Sequence, residues 1–180
     1  MATLGTPTLS QLAEGARLAL ANAADLLIVA KASSSPALSA ALVTLTEEEI
    51  GKAFLIAEAL SSDVSENSAS WASCKRSFRD HRAKLMAYHR WTEILGLGPD
   101  PGLYCDTEDG VIPEHEPMPD AELADLGQQL KLECLYVDWN DEYDEWVYPL
   151  PLAGHSVTLG HLLDTIDSYS VALEVLLGAH

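Results

Sequence analysis

Apolar residues recur at steps of three and four along Leu9, Leu12, Ala16, Ala19, Ala23, Leu26 and Ala30. They do so again along Leu159, Leu162, Leu163, Ile166, Tyr169, Leu173 and Leu176. A helical period places such positions on one face, so both ends of the chain predict amphipathic helices whose apolar stripes need cover from other helices. The first stripe is narrow and alanine-rich, which favours close helix approach. Ser33-Ser34-Ser35-Pro36 interrupts it, and Pro36 suits the first turn of a second helix running to about residue 61. A third helix is expected over 68–96, carrying Trp71, Cys74, Phe78, His81, Leu85 and Tyr88 until Gly96 and Gly98-Pro99 stop it. Short loops favour antiparallel neighbours, and the expected fold is an all-α, up-down four-helix bundle.

Residues 99–119 are rich in Pro, Gly and acids and predict a surface loop. A short helix is expected over 120–132. The aromatic and β-branched runs Leu135–Trp139 and Glu145–Tyr148 flank a polar loop and suggest a small hairpin. At 180 residues the chain fits one domain, with core helices about 8–32, 36–61, 68–96 and 156–177 and an insertion about 99–150. No stretch approaches the roughly 20 apolar residues of a membrane span, and no secretory leader is evident, so a cytoplasmic location is expected. Cys74, Cys105 and Cys134 form no C-x-x-C pair and read as reduced thiols, with Cys74 assigned to the core.

A net charge of −18 argues against a polyanionic partner until its distribution is considered. Residues 1–98 hold nine of the ten Lys and Arg against ten acids, whereas residues 99–180 hold only Lys131 against eighteen. Lys75, Arg76, Arg79, Arg82, Lys84 and Arg90 fall on one segment, so a basic helix sits inside an acidic protein. The acidic half suits either competition for that helix or recruitment of a basic protein partner.

Extending the second helix's stripe gives Leu42, Leu45, Glu49, Lys52, Ile56 and Ala59, which puts a carboxylate and an ammonium where hydrophobes belong. Burying an unpaired charge costs several kcal/mol, so such residues persist when paired or needed. His81 similarly shares a stripe with Phe78 and Leu85, with Lys84 one turn on. One reading is structural: Glu49 and Lys52 pair across one turn, and His81 bonds a glutamate. The other is a site in which Glu48 or Glu49 orients His81 for proton transfer while nearby cations bind an anion. Arg76 lies five positions before His81, about 140° around an ideal helix, so the two share a target only if Arg76 swings round or a second copy completes the pair. That chemistry suits RNA cleavage with no cofactor: His81 as general acid or base and Arg76 holding the phosphate's developing charge, with Lys75, Arg79 and Arg82 as RNA contacts. A metal bundle built on Glu48, Glu49 and His81 is a further alternative, although the Glu-x-x-His repeats of di-metal bundles are missing.

Several segments together resemble the AbiV-type abortive-infection branch of the HEPN superfamily. Glu48-Glu49-Ile50-Gly51-Lys52 resembles that family's Glu-Glu-x-Gly-Lys motif, and Phe78 to Lys84 its His-x-x-Lys motif. Leu135-Tyr136-Val137-Asp138 with Trp146 and Pro149 resembles its tyrosine-valine-aspartate strand and tryptophan-proline signature. The resemblance implies a HEPN-like bundle, homodimeric, in phage defence. It also implies a metal-independent endoribonuclease with an Arg-x4-to-x6-His motif, which maps to Arg76 and His81 and makes Glu48, Glu49, Lys52 and Lys84 supporting residues. A non-catalytic protein-binding role, with Glu49, Lys52, His81 and Lys84 structural, is the alternative.

Overall fold

Thr8 fixes the start of the first helix. Its side chain accepts from the Gln11 amide at 3.2 Å while Gln11 Oε1 accepts from the Thr8 amide at 2.9 Å, a reciprocal cap that satisfies two otherwise orphaned donors. A computed structural model of the chain describes residues 7–61, 68–97, 121, 124–125, 138–140, 145–147 and 155–178. Within it, α1 spans Leu9–Ala32, α2 Pro36–Ser61, α3 Ser68–Ser77, α4 His81–Ile94 and α5 His155–Gly178. Two three-residue strands, β1 (Asp138–Asn140) and β2 (Glu145–Val147), pair antiparallel with Trp139 opposite Trp146. The chain is predominantly helical, and none of its described helices is long and apolar enough to cross a membrane.

The α1–α2 corner follows from its serines. Ser35 Oγ accepts from the Leu38 amide at 3.3 Å, and Pro36 occupies the first helical position, where no amide hydrogen is missed. Buried Ser39 then donates to the Ala30 carbonyl at 3.0 Å and ties the two helix ends together. The buried face of α1 is Leu12, Ala16, Ala19, Leu20, Ala23, Leu27 and Ala30, so Leu20 and Leu27 take the inward places expected of Leu9 and Leu26. It shares one core with Val43, Ile50, Ala53, Phe54, Ile56, Ala57 and Leu60 of α2.

Two expectations are corrected by the third helix. It is not continuous over 68–96: α3 ends at Ser77, Phe78 and Arg79 turn, and Asp80 begins α4 by accepting from the Arg82 and Ala83 amides at 3.0 and 3.3 Å. A carboxylate at an N-cap is favourable enough to restart a helix inside an apolar-periodic run. Nor is the bundle up-down throughout. Glu48 meets His81 and Lys84, Gly51 packs on Lys84 and Tyr88, and Glu58 meets Arg90 and Trp91, so positions rise together and α2 and α4 run parallel.

Gly51 is what lets these helices meet. A Cβ there would lie 1.9 Å from the Lys84 carbonyl oxygen and 2.9 Å from the Tyr88 nitrogen, so the two backbones touch at this point. Below the contact, Phe54 stacks on Trp91 with centroids 4.8 Å apart and meets the edge of Tyr169 at 6.1 Å. Tyr169, fully buried on α5, shares a 2.7 Å hydrogen bond with Thr92, which satisfies both hydroxyls in the interior. The expected loop over 99–119 lies outside the described residues, as does most of the expected 120–132 helix, of which Ala121, Ala124 and Asp125 are helical.

Candidate functional site

Three consecutive glutamates on α2 point in three directions, and the helix phase gives each a separate environment. Glu48 faces α4 and is 1% exposed. Its Oε2 accepts from Lys84 Nζ at 2.7 Å and lies 2.6 Å from His81 Nδ1. A buried carboxylate beside an ammonium stays ionised and accepts only, so the imidazole must present Nδ1–H to it. That fixes the ring's orientation and leaves Nε2 as the nitrogen turned away from the carboxylate. The His81 side chain is 51% exposed, in the first turn of α4, so the ring spans the boundary between a sealed charge pair and solvent. This reverses the sequence expectation for α4: Lys84 is buried and His81 is the outer group.

Glu49 and Lys52 form the i, i+3 pair anticipated from their spacing, at 3.1 Å, with side-chain exposures of 16% and 34%. They line a partly wet edge of α2. The carboxylates that turn inward are Glu48 and Glu47, because the buried arc of α2 is centred on Val43, Ile50, Phe54 and Ala57 and not on the stripe through Leu42 and Leu45.

Glu47 was not among the candidates. It shares a helix face with Gly51, Phe54 and Glu58, at spacings of four, seven and eleven, and that face points between α4 and α5. Part of the residue is exposed, but its carboxyl is enclosed, and desolvation followed by the neighbouring charge of Glu48 pushes its pKa from 4.5 up to about 8. At neutral pH it carries its proton. Two adjacent carboxyls thus meet different surroundings, Glu48 bonded to Lys84 and His81 and Glu47 enclosed with its pKa raised. Tyr169, close by, has its phenol raised chiefly by burial, with hydrogen bonds from Thr92 and Tyr88 opposing that rise and Glu47, once ionised at alkaline pH, adding to it.

The basic segment divides into two groups. Lys84 and Arg90 are committed to α2 carboxylates, Glu48 and Glu58; Trp91 Nε1 also donates to Glu58 at 2.7 Å. Arg82 pairs with Asp125 at 2.9 Å. Lys75 and Arg76 end α3 and Arg79 lies in the turn, and the side chains of these three make no ion pair among the described residues. The ideal-helix angle between Arg76 and His81 does not apply, since a turn separates them: the Arg76 carbonyl accepts from the Arg79 and Asp80 amides at 3.0 and 3.1 Å and closes α3. Arg76 and Arg79 are exposed around the start of α4 and, among the described residues, make no ion pair with Glu48.

Among the described residues no group of three or more His, Cys, Asp or Glu side chains is placed to hold a metal ion, so Glu48, Glu49 and His81 do not assemble as a ligand set. Cys74 is half-buried and burial pushes its thiol pKa up, while Cys105 and Cys134 lie outside the described residues. The family model HEPN_AbiV, described as AbiV, matches residues 11–155, a span that includes Glu48, Gly51, His81 and Lys84 and ends where α5 begins. The chain matches no curated protein and no solved structure.

Proposed function

The chain belongs to the AbiV family, the abortive-infection branch of the HEPN proteins, and from that premise we propose that it is a phage-defence endoribonuclease that acts in the cytoplasm as a homodimer. The observation that carries the reading is the single oxygen of Glu48 bonded to both Lys84 and a half-exposed His81. A carboxylate on Nδ1 fixes the tautomer and stabilises the imidazolium, which is what a histidine shuttling protons near neutral pH requires.

In this reading His81 Nε2 takes the proton of a ribose 2′-hydroxyl as that oxygen attacks the adjacent phosphorus. The P–O bond to the departing 5′-oxygen then breaks, and a proton from imidazolium neutralises that oxygen. The products are a 2′,3′-cyclic phosphate and a 5′-hydroxyl. Arg76, with Lys75, Arg79 and Arg82, holds the phosphate backbone and the charge developing on its oxygens. Lys84 keeps Glu48 ionised, and Glu49 with Lys52 flanks the cluster. No metal takes part.

RNA degradation in EDTA tests this. His81→Ala should lower the rate by 10²-fold or more, the usual scale for losing a general acid or base. Equal rates in wild type and a folded His81→Ala variant remove the proposal. A second reading is favoured by the exposed side chain of Arg76, which makes no ion pair among the described residues: a non-catalytic defence protein in which the cluster is structural and the acidic second half recruits a basic protein. A partner captured equally by wild type and His81→Ala, and released by high salt, would favour that reading.

A further inference from the structure

Of the six cations on the basic segment, two are held by carboxylates of the neighbouring helix α2. Arg82 differs from these. Its guanidinium is held at 2.9 Å by Asp125, which comes from the acidic half of the chain. The adjacent Ala124 is completely buried, so the backbone that carries Asp125 is packed and does not hang free in solvent. Asp125 therefore reaches Arg82 as a ligand tethered in the same chain, at a raised effective concentration. Both side chains nevertheless stay more than half exposed, at 53% and 61%, so the pair is open to exchange with an anion from solution.

We propose that Asp125 is a built-in competitor for the phosphate backbone at Arg82, one residue from His81, and so sets an affinity threshold for RNA at this face. The proposal rests on the RNA-cleaving reading and adds regulation to it. A carboxylate and a phosphate oxygen make the same charge-assisted bond to a guanidinium, so only one of them occupies it at a time. An RNA strand engaging Lys75, Arg76 and Arg79 together displaces Asp125 through its other contacts. A lone phosphate gains too little from one exposed arginine to do so. The threshold falls as salt rises, because an exposed pair is screened.

The test is binding of a short fluorescent 2′-O-methyl oligoribonucleotide, which has no 2′-hydroxyl to react, to the full chain and three variants: Asp125→Asn, Arg82→Ala and the double variant. Asp125→Asn should bind about two- to fivefold more tightly at low salt, the range for releasing one exposed ion pair. That gain should vanish in the Arg82→Ala background and shrink at high salt. If wild type binds the oligonucleotide and Asp125→Asn binds it equally well, the competition is refuted while the RNA reading stands. If Asp125→Asn gains equally with and without Arg82, its effect is general charge and the specific pairing is refuted. If no variant binds even at low salt, the RNA reading falls and takes this inference with it. Matching melting curves for the four proteins establish that the comparison is between folded chains.

Discussion

Replacing Gly51 with alanine should destabilise the protein, although helix propensity alone predicts the opposite. Both Gly15 and Gly51 lie in helix interiors, where Gly→Ala typically gains about 0.8–1.0 kcal/mol. At Gly15 the new Cβ would meet only Ile56 Cδ1, at an ordinary 3.9 Å, so that gain should be kept. At Gly51 the Cβ would sit 1.9 Å from the Lys84 carbonyl oxygen and 2.8 Å from its carbon. Real Cβ contacts essentially never fall below 3.0 Å, so α2 and α4 must part by roughly 1 Å along their tightest contact. Overpacking of this kind costs about 1–3 kcal/mol. It also pulls Lys84 and His81 off Glu48, and a buried charge left without its partner costs about 3–5 kcal/mol when the break is complete. The net expectation is a loss of about 1–3 kcal/mol for Gly51→Ala beside a gain of about 0.5–1 kcal/mol for Gly15→Ala. Urea unfolding decides it, read as a shift in midpoint at constant slope. If Gly51→Ala matches or exceeds Gly15→Ala in stability, the parallel backbone contact does not exist in this form and the geometry of the Glu48 cluster loses its foundation.

Two further outcomes follow from the same geometry. Glu47 has a folded-state pKa of about 8 against an ordinary 4.5, so the native state binds the extra proton between those values. Stability should therefore be fullest below about pH 4.5 as far as this group is concerned, and fall as pH rises towards 8 by at most about 1.4 kcal/mol per unit. Glu47→Gln should flatten that dependence in denaturation curves collected across the window, and an unchanged slope would place the enclosed proton elsewhere. Asp80→Ala should cost roughly 0.5–2 kcal/mol through loss of the α4 cap, with Asp80→Asn close to wild type, and the discriminating measurement is again the unfolding midpoint.

Much of the frame was legible in the residues. The alanine stripe of α1, the serine-proline corner and the leucine periodicity of α5 each state their element locally, because capping and periodicity act within a few positions. The break at Asp80 was not, since its apolar neighbours Phe78 and Leu85 continue the helical spacing and only the side-chain bonds to the Arg82 and Ala83 amides mark the restart. The phase of α2 was ambiguous for a related reason. The helix is apolar nearly all round, with buried residues on every side, so periodicity has little contrast from which to choose an inward direction. Three successive glutamates sweep about 200° of arc, and a modest error in phase exchanges their roles. Hence the stripe points to Glu49 in place of Glu47, while Glu48, His81 and Lys84 are legible as polar residues on or beside apolar stripes and within the segments that resemble the family's motifs. The parallel course of α2 and α4 left no local trace.

That course decides when the Glu48–His81 contact can exist at all. A hairpin would join an acid and its histidine within one local unit, able to form alone. Here Glu48 and His81 are contributed by segments that travel in the same direction and are bridged by a complete return of the chain, so neither fragment contains both partners. The Glu48–His81 pair is consequently a report on finished tertiary assembly: a nascent or clipped chain lacking α4 holds the carboxylate without its imidazole, and the pair forms only once α4 has docked on α2.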